Sequence, residues 1–107
     1  MTRCEFFRQA ERITGFSVSG HSGYAEAGTD IVCAAISAAV SLAECTINDV
    51  CGGKAKVRVK EADARISLTL PASCEEEDVI QAVLAGLMLY LVDLRDQYPD
   101  YIEVLEV

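Results

Sequence analysis

Several stretches of the chain combine apolar and polar residues in the way that is typical of strands with one buried face. They are residues 2–8, 11–19, 56–60 and 65–70, of which the last two alternate with a strict period of two. Short segments at 9–10 and 61–64 separate the members of each pair and are predicted to form turns. A further strand is predicted over Tyr101–Leu105, directly after Pro99.

Two longer segments have the apolar spacing of helices. The first runs from about Asp30 to Val50 and is apolar on nearly all sides as far as Ala43. This pattern predicts a helix whose first half is buried rather than lying on the surface. Cys51-Gly52-Gly53 is expected to end it, because glycine commonly follows the C-terminus of a helix.

The second helix is predicted to begin at a capping box formed by Ser73 and Glu76. Its apolar residues recur on one face, at Ile80, Val83, Leu84, Leu87, Leu91 and Leu94. Acidic residues at 75–78 would occupy the first turn, where the helix dipole favours negative charge. The order β-β-α-β-β-α-β therefore predicts a single α+β domain over residues 1–107, with two main helices covering a mixed or antiparallel sheet in two layers.

Composition and charge narrow the possible functions. The chain has 107 residues, of which 51% are apolar, and a net charge of −8. This charge argues against direct binding to nucleic acid, which needs a basic surface. Residues 1–73 contain eight basic and eight acidic residues, whereas residues 74–107 contain one basic and nine acidic residues. The acidic last third is either a solvated surface or a region that attracts a cationic partner.

The same features predict a cytoplasmic protein. Charged residues occur throughout the first eleven positions, so no secretory signal is expected. The longest uncharged apolar run, Ile31–Ala43, is shorter than the roughly 18 residues that a membrane span needs, so no membrane contact is expected. Five cysteines cannot pair completely, and in the cytoplasm they are expected to stay reduced. One histidine and no Cys-x-x-Cys disfavour a metal site, and no cofactor is expected.

The only histidine, His21, lies in a glycine-rich loop twelve residues before Cys33. Cys33 falls in the predicted first turn of the first helix, where amide groups and the helix dipole stabilise a thiolate. The loop can fold back and bring the imidazole to the thiol, which would combine a nucleophile with a general base. Free N–H groups of the same turn could hold an oxyanion.

Two neighbours of this pair are candidates for supporting roles, and one alternative remains open. Asp30 would either cap the helix or orient His21, and Ser37, one turn after Cys33, could line a pocket. Free cysteines are among the most buried residue types, and on that ground Cys45 is interpreted as a core residue. Cys33 could likewise be structural, or the sensor of a non-catalytic dimeric interaction or thiol-redox module.

The run from Gly20 to Ser37 closely resembles the signature of the Prp ribosomal-processing cysteine proteases of Firmicutes and their relatives. The shared features are Gly-His, Tyr-Ala, Gly-x-Asp-Ile-Val-Cys-Ala-Ala and a following serine, without a gap. Ser22 stands where alanine is expected more often, and a side chain of similar size is expected to matter little there.

This resemblance implies a homodimeric endopeptidase that removes a short N-terminal extension from the twenty-seventh protein of the large ribosomal subunit. Cys33 would be the nucleophile and His21 the general base, with Asp30 and Ser37 in supporting roles. Loop and substrate-binding positions would be Gly20, Gly23, Tyr24 and Gly28. Cleavage would follow paired phenylalanines, for which Tyr24, Ile36 and apolar residues of the second helix are candidate pocket linings.

Overall fold

The structure is a computed structural model that describes residues 1–26 and 28–107. Its elements are β1 (Thr2–Gln9), β2 (Arg12–Ser19), α1 (Ile31–Cys45), β3 (Lys56–Lys60), β4 (Arg65–Thr69), α2 (Glu77–Gln97) and β5 (Ile102–Glu106). This order confirms the predicted α+β fold. The strand bounds lie within one residue of those expected, because period-two patterning marks strands clearly.

The five strands form one mixed sheet in the order β3-β4-β2-β1-β5. β5 joins β1 in parallel after the α2 crossover, and the other neighbours are antiparallel. The buried side chains of one face include Cys4, Phe6, Phe16, Val18, Leu68 and Ile102. On the other face Arg3 lies beside Glu5 and Glu103. The helices therefore cover the face that carries the apolar residues.

A β-bulge explains why Ile13 and Phe16 are both buried although they are three residues apart. Phe7 pairs with Gly15 and Arg8 with Ile13, so Thr14 is the extra residue of β2. A Cβ atom at Gly15 would lie 2.2 Å from the carbonyl oxygen of Leu68. Only glycine allows β4 to approach β2 this closely.

Helix α1 buries one face only. Val32, Ile36, Val40 and Ala43 are buried, whereas Ile31, at the start of the helix, and Leu42 are 54% and 69% exposed. The sheet covers only one side of the helix. The prediction that the first half of α1 is buried is therefore wrong for the side that faces away from the sheet. A π-helical turn continues α1 over Thr46–Val50, and Gly52, with φ of +63°, follows it as expected.

The helical stretch Ile31–Val50 is long and apolar enough to span a membrane by length and composition, with a mean hydropathy of 1.7. The uncharged run in the sequence ends before Glu44, whereas the helical stretch is longer because it includes the acidic residues Glu44 and Asp49. A core helix meets the same criterion, so one such helix is weak support for a membrane span. The absence of membrane contact stays a prediction.

Helix α2 begins later than its capping box predicted. It starts at Glu77, and Glu76 caps it without a side-chain hydrogen bond. The guanidinium group of Arg12 holds this region instead, by donating to the Glu77 carboxylate at 2.9 Å and to the carbonyl of Pro71 at 2.7 Å. The predicted apolar face is confirmed, because Ile80, Leu84, Leu87, Leu91 and Leu94 are buried and Val83 is half-buried.

Candidate active site

A cleft of about 280 Å³ lies beside the N-terminal end of α1 and contains the predicted nucleophile and base. Its lining residues are Thr2, Val18, Gly20, His21, Cys33, Ile36, Ser37, Val40, Ser41, Ala64 and Ile66. The structure therefore brings together His21, Cys33 and Ser37. Cys33 is half-buried and His21 is exposed, so both side chains can be reached from solvent.

Asp30 is the N-cap of α1 and also fastens the preceding loop to the helix. Its Oδ1 accepts the N–H of Cys33 at 2.9 Å. Its Oδ2 accepts the hydroxyl of Ser22 at 2.5 Å and the N–H groups of Tyr24 and Ala25 at 3.1 and 3.3 Å. Of the two roles considered for Asp30, these contacts support capping; in the described part of the chain none of its bonds reaches His21.

These bonds determine the charge of Asp30. Burial alone would raise the pKa of its carboxyl group, but hydrogen bonds from Ser22, Cys33 and Ala25 outweigh it and hold the pKa well below its usual value. Asp30 is therefore a carboxylate at neutral pH. A fixed negative charge at the helix start also matches the helix dipole.

Ser22 contacts the predicted nucleophile directly, although the sequence analysis named it only as a position where the side chain is expected to matter little. Its side chain is 2% exposed, its N–H donates to Cys33 Sγ at 3.3 Å, and its Oγ lies 3.4 Å from the same sulfur. Alanine would keep the first contact and lose the second. The available signal was a small polar residue next to the histidine, which periodicity does not single out.

His21 follows a backbone turn that requires glycine. Gly20 has a φ of +83°, and a Cβ atom there would lie 2.8 Å from the carbonyl oxygen of Met1. This turn aims the chain from the end of β2 into the cleft. Within residues 1–26 and 28–107, the His21 side chain makes no hydrogen bond, so nothing there fixes its ring to Cys33.

Not every N–H group of the first turn of α1 is free to hold an oxyanion. The N–H of Cys33 donates to the Asp30 carboxylate, and the N–H of Ala34 donates to the Asp30 carbonyl at 3.0 Å. Two amides of the first turn are therefore already used. The N–H of Ser22, which faces the sulfur, is a donor at the reaction centre that the sequence did not indicate.

The rest of the loop is held away from the cleft. Tyr24 packs edge-on against Tyr98 and Tyr101, with ring centroids 5.5 and 5.2 Å apart. These contacts attach the loop to the end of α2 and the segment after it. Neither Tyr24 nor any described residue of α2, which were candidate pocket linings, lies in the lining of the cleft. Gly23 and Gly28 have φ of +77° and +89°, so both adopt backbone conformations that favour glycine.

The other cysteines have different surroundings. Cys45 is exposed, so its interpretation as a core residue is wrong. Cys4 is buried in the sheet, where burial and the charge of Glu103 raise its pKa to about 12. Cys51 and Cys74 are partly buried and pack against the core. Across the residues that the structure describes, no group of three His, Cys, Asp or Glu side chains could hold a metal ion.

Basic residues of β1 and β2 neutralise part of the acidic last third. Arg3 pairs with Glu103, Arg8 with Glu106 and Arg12 with Glu77. The acidic groups at 75, 76, 78, 93 and 100 are exposed. The net negative surface is therefore smaller than the count of charges in residues 74–107 indicates.

The family model of cysteine protease Prp matches residues 1–103. A crystal structure of an essential ribosomal processing protease Prp from S. aureus, in complex with a covalently linked product peptide, has a TM-score of 0.90 at 19% identity and covers 100% of both chains. A structure of that protease with a substrate peptide has a TM-score of 0.85 at 18% identity, again over 100% of both chains.

A Streptococcus mutans structure has a TM-score of 0.88 at 20% identity, covering 100% of this chain and 94% of that one. At these identities the three structures show the shared fold. No curated protein matches the chain.

Proposed function

The chain belongs to the cysteine protease Prp family and is a cysteine protease; from this premise we propose that it removes the N-terminal extension of the twenty-seventh large-subunit ribosomal protein in the cytoplasm. The observation that carries the proposal is the cleft that contains both Cys33 and His21. The S. aureus protein that shares this fold is a ribosomal processing protease whose structures contain a substrate peptide and a covalently linked product peptide, which supports the substrate class.

In the proposed reaction His21 takes the proton of the Cys33 thiol, and the sulfur attacks the scissile carbonyl carbon. The oxyanion forms beside the backbone N–H of Ser22, whose nitrogen lies 3.3 Å from the sulfur. The carbon–nitrogen bond then breaks as His21 returns its proton to the leaving amine. Water, deprotonated by His21, attacks the thioester and restores the Cys33 thiol.

The position of His21 supports a base that adjusts to the substrate. Its side chain is exposed and follows the Gly20 turn, while Cys33 is fixed on a helix. Catalytic hydrogen bonds are often long without substrate and tighten in the complex. Reorientation of the exposed His21 side chain on substrate binding would then bring the imidazole to the sulfur.

The decisive experiment is incubation with the full-length ribosomal protein, followed by mass spectrometry of its N-terminus. Cys33→Ser and His21→Ala are each expected to abolish cleavage while leaving the circular dichroism spectrum unchanged. Cys45→Ser is the matched control, because this thiol is exposed on the same helix. Normal cleavage by either site variant would overturn the dyad, and cleavage elsewhere in the substrate would overturn the specificity.

Charge supports a cationic substrate. Ribosomal proteins are basic, and the exposed acidic groups of α2 and of the segment before it can raise the rate of encounter. Such steering weakens as ionic strength rises. We expect kcat/KM for the whole substrate to fall with added salt more than for a short neutral peptide.

The proposed assembly is a homodimer, supported by an apolar groove of about 540 Å³ between α1 and α2. Its lining includes the small residues Ala35, Ala38, Ala39 and Gly86, together with Leu42 and Tyr90, which are 69% and 44% exposed. Exposed apolar surface of this kind is typical of contacts between subunits. A second copy of this chain is the proposed occupant.

Sedimentation velocity tests this assembly. Leu42→Glu is expected to give a monomer, because it places a charge in the groove. Leu89→Glu is the control, since Leu89 is also exposed on a helix but lies outside the groove lining. A monomeric native chain, or a dimer that survives Leu42→Glu, would contradict the proposal.

A further inference from the structure

The hydroxyl group of Ser22 lies between the nucleophile and the helix cap. Ser22 Oγ is 2.5 Å from Asp30 Oδ2 and 3.4 Å from Cys33 Sγ, and it accepts the N–H of Tyr24 at 3.3 Å. The side chain is almost fully buried, so water does not compete for these contacts. The hydrogen bonds of the Ser22 hydroxyl group are therefore those that it makes with the protein.

A serine hydroxyl has one proton to donate and two lone pairs to accept with. The bond to Asp30 uses the serine proton, because the carboxylate has none of its own to give. The N–H of Tyr24 is shared between a lone pair of Ser22 Oγ and Asp30 Oδ2, at 3.3 and 3.1 Å. In the contact with Cys33 the thiol is the donor and Ser22 Oγ is the acceptor, at 3.4 Å.

We propose that Ser22 is a positioning residue whose hydroxyl group accepts the proton of the Cys33 thiol in the resting site and so competes with His21 for that proton. This inference rests on the proposed role of Cys33 as the nucleophile. If Cys33 loses its proton while the loop stays in place, an oxygen lone pair of Ser22 faces the negative sulfur. The backbone N–H of Ser22 still favours the thiolate, so the hydroxyl and the amide of one residue act in opposite directions.

The charged surroundings of Cys33 are otherwise simple. Among the described residues, Asp30 and His21 are the titratable groups that bond to Cys33 or share its cleft. β1, β2 and β4 contribute Thr2, Val18 and Ile66 to the cleft, none of which carries charge. Removing the Ser22 hydroxyl therefore changes one acceptor of the thiol proton and no charge.

The test is the pH dependence of Cys33 alkylation by iodoacetamide, resolved by peptide mass spectrometry. In Ser22→Ala the midpoint is expected to move to lower pH by about 0.5 to 1 unit, since a neutral hydrogen bond to the thiol is lost. Alkylation of Cys45, which is exposed on the same helix, serves as the internal reference. An unchanged or higher midpoint in folded Ser22→Ala would overturn the proposal.

Two further variants exclude simpler explanations. Ser67→Ala removes a hydroxyl from β4, outside the cleft, and is expected to leave the midpoint unchanged. Ser22→Thr keeps a hydroxyl and is expected to stay within about 0.3 unit of the native chain; a fall as large as that of Ser22→Ala would contradict the role of the oxygen. Because alkylation does not require peptide cleavage, these outcomes are independent of whether the proposed substrate is correct.

Discussion

The two ends of α1 show how similar means of holding a loop can lead to different chemistry. At the start, Asp30 binds the preceding loop through Ser22, Tyr24 and Ala25. At the far end, Asn48 binds the following loop through the N–H and the carbonyl of Ala55, at 2.8 and 3.0 Å. Asp30 thereby also accepts the Cys33 N–H, which lacks a partner within the helix, whereas Asn48 bonds to the loop alone.

The difference is what remains available after those bonds have formed. At the Asn48 end one neutral amide bonds to the N–H and the carbonyl group of one residue, Ala55, and the neighbouring Ile47 is fully buried. At the Asp30 end an ionised acceptor lies beside a half-buried thiol, in a cleft that also contains an exposed histidine. The Asn48 end therefore stabilises the fold, whereas the Asp30 end also leaves reactive groups that a substrate can reach.

The largest effect on stability is expected at the far end of the helix. Ile47→Ala should lower the free energy of unfolding by about 2–5 kcal/mol, because it leaves a cavity beneath the helix turn. Urea denaturation measures this loss. At a temperature where the variant is folded, its kcat is expected to match the native value.

Val50→Ala is the control for this prediction, since Val50 lies in the same turn but is 75% exposed. It should change stability by less than about 0.5 kcal/mol. If Ile47→Ala lowered kcat in fully folded protein, the two ends of α1 would be coupled and the separation drawn between them would be wrong.

Asp30→Asn should have the largest effect on activity that leaves both Cys33 and His21 in place. An amide accepts the loop's N–H groups more weakly than a carboxylate does, so the loop should lose its fixed position. We expect kcat/KM to fall by roughly tenfold to a hundredfold, as is common for misplaced catalytic groups. Steady-state cleavage of the ribosomal substrate measures it. Asn48→Ala, the matched change at the other end, should lower stability and keep kcat.

The pH dependence of stability gives an independent check on Asp30. Since folding lowers the pKa of this carboxyl group, its contribution to stability is complete above the unfolded pKa of about 4. It is lost as the pH falls further, towards the value in the folded state. The native chain should therefore be more stable than Asp30→Asn at pH 7, and this advantage should shrink below about pH 4. A constant difference would show that Asp30 acts without its charge.

Features that depend on local sequence pattern could be predicted, whereas features that depend on contacts between distant parts of the chain could not. The strands, the buried face of α2 and the placement of Cys33 at a helix start depend on local periodicity and spacing, so they could be predicted. Ser22 could not, because its role comes from contacts with Asp30 and Cys33 across a folded loop. The start of α2 was misplaced for a similar reason, since Arg12, sixty-five residues from Glu77, holds that region.

Cys45→Ser is expected to have the smallest effect and so tests whether position alone distinguishes the two thiols of α1. Cys33 lies in the first turn beside Asp30 and Ser22, whereas Cys45 is exposed twelve residues later and lies outside both the cleft and the groove lining. Its replacement should change the free energy of unfolding by less than about 0.5 kcal/mol and leave cleavage intact. Denaturant titration and the cleavage assay measure both. A clear loss of activity would mean that a thiol outside the cleft takes part in the reaction. The environment of Cys33 would then not explain why only one end of α1 is reactive.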